Sequence, residues 1–285
     1  MVMIEKAYAK VNLALNVFEK NENNYHDLES IMLPLQLHDT IEIAILPPEN
    51  TDDFITCDDY SLKVVKYNLC HKAIDVCRKR WNFKEKFRVV IHKRIFTQSG
   101  LGGASADAAA TIRGIIKLLK LNPTDQELIE IGIELGSDVP FCLFSKPSVV
   151  KQIGQSLTFF EHKRDDYVLI VKYPLGLSTQ EVFEESDKHE LDSCNLEEVK
   201  GEFINGNPNL KNSAVNALQK VSFGMLPELE KLYNLLKEEN FDFVQMTGSG
   251  SAIFCLTKNK KLANKMEEKY FKKGYQVELT KFLIN

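Results

Sequence analysis

Two segments near the start of the chain alternate apolar and polar residues with period two: Val11 to Phe18 ("VNLALNVF") and His38 to Leu46 ("HDTIEIAIL"). That period predicts half-buried strands. The polar stretch "NENNYHD" separates them, and "PPENTDD" ends the second. A helix is expected over residues 63–81 and a strand over 86–95. Ile112, Ile115, Ile116 and Leu119 then recur at i, i+3, i+4, i+7, predicting a helix with one buried face. Thr124 and Glu127 form a capping box that opens a further helix, with Leu128, Ile131 and Leu135 on one side and Gly136 as its stop. "SDVPFCLFSKPS" reads as the connection that leaves it.

Beyond residue 150 the pattern predicts a second set of elements. Strands are expected over 167–174, 241–246, 252–257 and 276–282, and helices over 178–186, 210–221, 228–240 and 260–273. "TGSGS" joins two of the strands. Strands interspersed with helices predict an α+β architecture with helices layered on a sheet. A boundary is expected between residues 146 and 153, giving domains 1–150 and 151–285.

With 285 residues and 44% hydrophobic content, the chain is long enough for one large or two modest cores. A net charge of −4 provides no basic field, which argues against a generic nucleic-acid or anionic-membrane partner. The six cysteines (Cys57, Cys70, Cys77, Cys142, Cys194, Cys255) contain no Cys-x-x-Cys pair, so reduced thiols are expected rather than disulfides or zinc. The first twenty residues lack a continuous apolar run, and no window reaches the roughly 18 apolar residues of a spanning helix. A cytoplasmic protein is expected.

"GLGGASADAAA" is the stretch with the most chemistry in it. Gly100, Gly102 and Gly103 remove β-carbons where a backbone must approach something closely, and the following helix aims free N–H groups at the same place. A polyphosphate fits, and so does a tight strand-to-helix turn. The stretch is neither a Walker A loop nor Gly-x-Gly-x-x-Gly, since position 105 is serine. Ser105 offers a hydroxyl to a phosphate or Mg²⁺, or caps the helix; Asp107 suits the first turns of a helix. Asp138, in "ELGSDVPF", is either a partly solvated carboxylate or a cap for the turn before Pro140. Lys10 interrupts an apolar strand, as solvent-face lysines often do. Tyr25 and His26 lie in a polar loop, where they could stack on and hydrogen-bond a base.

Each signal is weak alone, but "AYAKVNLAL", "NNYHDLESIM", "GLGGASADAAA", "LGSDVPF" and "MTGSGSAIF" occur in an order that resembles the GHMP kinase superfamily. Within it, the Lys-x-Asn strand and Tyr-His loop look like the branch that phosphorylates a cytidine-diphosphate-linked methylerythritol in non-mevalonate isoprenoid synthesis. The resemblance implies an N-terminal ribosomal-protein-like domain with a left-handed β-α-β crossover and a ferredoxin-like C-terminal domain. It also implies ATP with Mg²⁺, the metal reached through Ser105, and a small-molecule substrate bound by a monomer or weak homodimer.

By matching motif, Asp138 is the catalytic base and Lys10 assists it. Asn12, Tyr25, His26, Tyr173 and Thr179 hold the substrate, with His26 reading the cytosine edge and Tyr173 as an aromatic platform. Asn68 and Lys93 fall at the adenine end of ATP. Thr247, Gly248, Ser249 and Gly250 form a third motif that braces the phosphate loop. The family loop reads Pro-x-Gly-x-Gly-Leu-Gly-Gly-Gly-Ser-Ser, whereas this chain has Phe96, Thr97, Gln98, Ser99, Gly100, Leu101, Gly102, Gly103, Ala104, Ser105 and Ala106. Gln152 and Gln155 stand where the family has Gly and Glu. The alternatives are a GHMP kinase for a different small alcohol and a nucleotide-binding protein without kinase activity.

Overall fold

A computed structural model describes residues 1–21, 25–59 and 68–284. The chain forms two compact units that interleave in sequence. One comprises Met1–Ala9, Leu37–Ile95 and Gly102–Ser145; the other comprises Lys10–Gln36, Phe96–Leu101 and Lys146–Asn285.

In the first unit, the second half of β2 (His26–Ile45) pairs antiparallel with β4 (Phe87–His92), in register from Thr40↔His92 to Ile45↔Phe87. β3 (Phe54–Cys57) lies parallel on the other side of β4. α1 (Leu69–Trp81) falls between β3 and β4 in sequence, which makes a β-α-β unit. It starts where the Asn68 side chain accepts a hydrogen bond from the His71 N–H; expected helical residues 63–67 lie outside the described ones.

α2 (Gly103–Leu119) buries Ala108, Ile112, Ile115 and Leu118. The buried face is therefore turned from the expected one, with Ile116 and Leu119 only half-buried, because the small residues of "ASADAAAT" let the first turns sink into the core. α3 (Asp125–Leu135) carries the expected capping box in full. The stretch after it is not a plain connection: α4 (Val139–Phe144) forms there, with Pro140 in the first turn and Val139, Phe141 and Cys142 buried.

In the second unit, β1 (Val2–Lys20) contributes Lys10 onward and β2 its first half. β5 (Ser148–Gln152) pairs with β2 from Leu28↔Gln152 to Met32↔Ser148 and then turns into β6 (Ser156–Phe159), a hairpin that the sequence pattern did not reveal. β7 (Tyr167–Lys172), β8 (Phe243–Met246), β9 (Ala252–Thr257) and β10 (Gln276–Lys281) form an antiparallel sheet in the order β10-β7-β9-β8. With α5 (Thr179–Ser186) to α9 (Pro227–Lys237) between β7 and β8, and α10 (Lys260–Lys272) between β9 and β10, this is the ferredoxin-like order. Its core joins Leu169, Val171, Ile253 and Cys255 of the sheet to Leu229, Leu232 and Leu236 of α9 and to Leu15 of β1.

The helix expected over 210–221 is broken in two, α7 (Leu210–Ser213) and α8 (Gln219–Met225). Between them the backbone is extended and pairs with β1: Leu15 N–H donates to the Val215 carbonyl at 2.8 Å, and Ala217 N–H to the Leu15 carbonyl at 2.8 Å. Two non-local backbone bonds outweigh helix propensity over three residues.

His162 belongs to this unit and sets part of its acid stability. It is buried edge-on against Phe203 and Phe282, with centroids at 5.1 and 5.5 Å, and its Nδ1 accepts the Arg164 N–H at 3.2 Å. Burial first, and then the Arg164 charge, push its pKa below the ordinary 6.5. The unfolded chain therefore takes up a proton that the folded chain resists, so stability falls as pH drops below about 6.5 and levels off below the folded value. Melting temperature followed from pH 7.5 to 5 is expected to fall less steeply in His162→Phe than in the wild type; equal slopes would remove His162 from the account.

Candidate active site

Lys10 and Asn12 lie on β1, two residues apart and therefore on the same face. Both are buried, at 3% and 1% exposure, an unusual place for such residues unless they are bonded. The Lys10 ammonium donates to Asn12 Oδ1 at 2.7 Å, and Asn12 Nδ2 donates to Ser30 Oγ at 2.8 Å. The Ser30 hydroxyl in turn donates to the Ala14 carbonyl at 2.7 Å. This chain of bonds fixes the Asn12 amide orientation and holds the lysine cation in place.

The same residues tie three segments of the second unit together. The Lys10 N–H donates to the Leu101 carbonyl at 3.0 Å, so the strand is bonded to the glycine loop itself. The Asn12 N–H donates to Thr247 Oγ1 at 3.0 Å, and that hydroxyl lies 3.4 Å from the Gly100 carbonyl. Gly100 has φ +77, and a Cβ there would run into the Thr247 carbonyl oxygen, so only glycine fits. The Ser251 and Ala252 N–H groups donate to the carbonyls of Gln98 and Ser99 at 3.4 and 3.1 Å. "TGSGS" is thus more than a hairpin connection: its turn backs directly onto the loop. The turn is fixed by side chains that sequence pattern alone did not single out. Asn216 Nδ2 donates to the carbonyls of Met246 and Gly248, both at 2.9 Å, and Ser222 Oγ donates to the Ser249 carbonyl at 3.0 Å.

The substrate-class candidates sit in the same unit. Thr179 opens α5 and its Oγ1 is 3.0 Å from Ser249 Oγ. Tyr25 is exposed. His26 Nδ1 lies 2.7 Å from the Phe18 carbonyl, which can only accept, so Nδ1 carries a proton. Its Nε2 is 3.0 Å from Asp187 Oδ1, outside hydrogen-bond alignment. Lys20 beside Asp187 is the first cause holding that carboxyl below the usual range, and the His26 charge adds to it. The ring next to His26 is Phe183, at 5.4 Å and 32°, whereas Tyr173 lies against Tyr275 at 6.2 Å. Phe183 was not singled out in the sequence because its position in α5 reads simply as an apolar helix residue.

In the first unit, α2 begins at an uncapped N-terminus. Gly102 is the N-cap with φ +73, no side chain bonds the first turn, and the first helical bond runs from Ala106 N–H to the Gly102 carbonyl at 2.9 Å. The N–H groups of Gly103, Ala104 and Ser105 precede it, which is the arrangement an anion binds.

Lys93 is not a solvent cation. Its ammonium is buried between Asp39 Oδ2 at 2.5 Å and Asp107 Oδ2 at 2.8 Å, while Asp39 Oδ1 accepts the Ile95 N–H at 2.8 Å. The two carboxylates keep Lys93 charged against the opposing effect of burial. Burial, helped by Asp39 and opposed by Lys93, pushes Asp107 up to about 7. Asn68 is spent in part on capping α1. Asp138 is half-buried at the N-cap position of α4, and its side chain makes no capping hydrogen bond there.

An uncapped helix N-terminus directly after a glycine-rich stretch suits a phosphate, and the comparison with known families defines the class as a small-molecule kinase of the GHMP type. The match is direct: "GHMP kinases N terminal domain" covers residues 68–146 and "GHMP kinases C terminal" covers residues 198–276. The chain belongs to the family of 4-diphosphocytidyl-2-C-methyl-D-erythritol kinases. It is 32% identical to the protein of that name from Caldicellulosiruptor bescii, covering 93% of this chain and 92% of the relative. It is 33% identical to the one from Lachnoclostridium phytofermentans, covering 97% and 96%.

Among solved structures, the fold is similar to a crystal structure of 4-(cytidine 5'-diphospho)-2C-methyl-D-erythritol kinase, with a TM-score of 0.81 at 23% identity over 98% of this chain and 99% of that one. It is also similar to Leishmania major mevalonate kinase in complex with R-mevalonate, with a TM-score of 0.75 at 15% identity over 99% and 96%. Among the described residues, no helix is long and apolar enough to cross a membrane.

Proposed function

We propose that the chain transfers the γ-phosphoryl group of ATP to the 2-hydroxyl of 4-diphosphocytidyl-2-C-methyl-D-erythritol, giving the 2-phosphate and ADP. The observation that carries this reading is the bonded set of Lys10, Asn12, Thr247 and Gly100, in which the strand holding the lysine cation is fastened to the glycine loop. The acceptor oxygen attacks the γ-phosphorus, the bond from that phosphorus to the β,γ-bridging oxygen breaks, and ADP leaves with the electron pair. Asp138 takes the hydroxyl proton, and Lys10 stabilises the charge that develops on oxygen. Phosphoryl transfer otherwise depends on positioning and charge neutralisation. Residues 96–101 and the N–H groups of Gly103, Ala104 and Ser105 supply donors for the phosphates, with Asn68 and Lys93 toward the adenine end.

Among the described residues, no group of three or more His, Cys, Asp or Glu is arranged to hold a metal ion. The Ser105 hydroxyl would help to hold an Mg²⁺ ion brought by the nucleotide, which would neutralise phosphate charge. Asn12, Tyr25, His26 and Thr179 hold the acceptor; Phe183 joins Tyr173 as a candidate ring for the base. The six free cysteines support action in the cytoplasm, and a monomer or weak homodimer suffices. ADP release measured with this acceptor is expected to exceed that with mevalonate, homoserine or a sugar; preference for one of those would transfer the reading to a different GHMP kinase.

A further inference from the structure

Gln98 stands where the family loop has glycine, and its backbone shows the mismatch: φ is +49, the left-handed region that strains a residue with a β-carbon. An outlier retained in a functional loop calls for a contact that needs the side chain. That contact is with Gly176. A Cβ built on Gly176 would fall within 2.5 Å of both Gln98 Cβ and Gln98 Oε1, so the glutamine lies flat across the bare face of the glycine. Gly176 itself is not in the left-handed region, and the three atoms nearest to a Cβ built there all belong to Gln98.

The segment containing Gly176 is held to the loop from behind as well. Ser251 Oγ donates to the Leu175 carbonyl at 2.6 Å, while the Ser251 N–H donates to the Gln98 carbonyl at 3.4 Å. Lys172, buried at 3% exposure, donates from its ammonium to the carbonyls of Tyr173 and Pro174 at 3.0 and 3.3 Å. Burial lowers its pKa. Its charge goes into stiffening the backbone that leads, three residues after Gly176, to Thr179. Ser251 is thus the fixed tie between loop and segment, and the Gln98 side chain is the tie on their exposed side.

We propose that Gln98 is a positioning residue: its side chain, seated on Gly176, straps the phosphate loop to the segment delivering Thr179, so that ATP and the acceptor alcohol each favour the loop position that binds the other. The proposal rests on the kinase reading above. It also explains how this chain tolerates its departure at position 98, since the bulk added on the loop is accommodated by the bare Gly176.

Four proteins test it: wild type, Gln98→Gly, Gly176→Ala and the double variant. Gln98→Gly relieves backbone strain and is expected to melt no lower than the wild type. It is nevertheless expected to raise the KM for both ATP and acceptor about fivefold or more, the scale of a coupling between two sites, with the loss falling on KM rather than kcat. Gly176→Ala is expected to raise the same constants by dislodging the glutamine, and the double variant to be no worse than Gln98→Gly, because the two changes break one contact.

Unchanged KM values in Gln98→Gly would overturn the strap, and so would a Gly176→Ala penalty of equal size in both backgrounds. A wild type that turns over no acceptor would instead sink the kinase reading. The strap would then be tested by ATP affinity from calorimetry, which must weaken in Gln98→Gly and in Gly176→Ala without adding in the double variant.

Discussion

Asp138→Asn is expected to lower kcat about 10²–10⁴-fold, the range that a positioned proton acceptor contributes. Asparagine keeps the size and the carbonyl acceptor of aspartate but not its basicity. Asp138 occupies the N-cap position of α4, yet its carboxylate makes no capping hydrogen bond there, so asparagine removes the proton acceptor without removing a cap. The melting temperature should therefore stay near that of the wild type, and KM for ATP should change much less than kcat. Steady-state ADP release alongside thermal denaturation separates the two effects. Full activity in the variant would show that the proton leaves by another route; a large fall in melting temperature would return Asp138 to a structural role.

Gly100→Ala is expected to be the most damaging of the single-methyl changes. The left-handed backbone costs about 1–2 kcal/mol for a residue with a β-carbon. The methyl group would also meet the Thr247 carbonyl oxygen, and forcing extra volume into a packed position costs typically about 1–3 kcal/mol more. The displacement does not stay local, since Leu101 accepts the Lys10 N–H and Thr247 accepts the Asn12 N–H. Moving the loop moves Lys10, and if Lys10 acts as proposed the rate should fall beyond what lost stability explains. Gly206→Ala is the control: φ is +65 there, but nothing lies within 4 Å of the added methyl, so it bears the backbone cost alone. Urea denaturation of the two variants should therefore differ by the steric part. Equal losses would mean that the loop and the Thr247 turn yield to each other.

Much of this was legible in the residues. The strands and most helices of the C-terminal half followed from hydrophobic period, because they are short, regular and bounded by turn residues, while their ferredoxin-like order was implied by the family resemblance. The capping box of α3 was readable because it is purely local. What failed to show was non-local. The split of 210–221 depends on pairing with Leu15, nearly two hundred residues earlier in the chain, and propensity carries no trace of such a partner. α4 was hidden because a six-residue helix after a glycine stop has too few positions to show a period.

The same division runs through the site. Lys10, Asn12 and the glycine loop were singled out by motif order, whereas Asn216 and Ser222, which fix the Thr247 turn, carry no motif. Phe183 was hidden within an ordinary apolar helix face. The burial of Lys93 was not legible, because the carboxylates that enclose it, Asp39 and Asp107, come from different elements.

The most direct measurement is phosphorus NMR of the product formed by the wild-type protein from ATP, Mg²⁺ and 4-diphosphocytidyl-2-C-methyl-D-erythritol. The account predicts one new phosphomonoester resonance, coupled to the 2-position of the methylerythritol unit, with the acceptor's diphosphate intact and ADP formed in equal amount. Absence of that resonance, while ATP still binds, would contradict it.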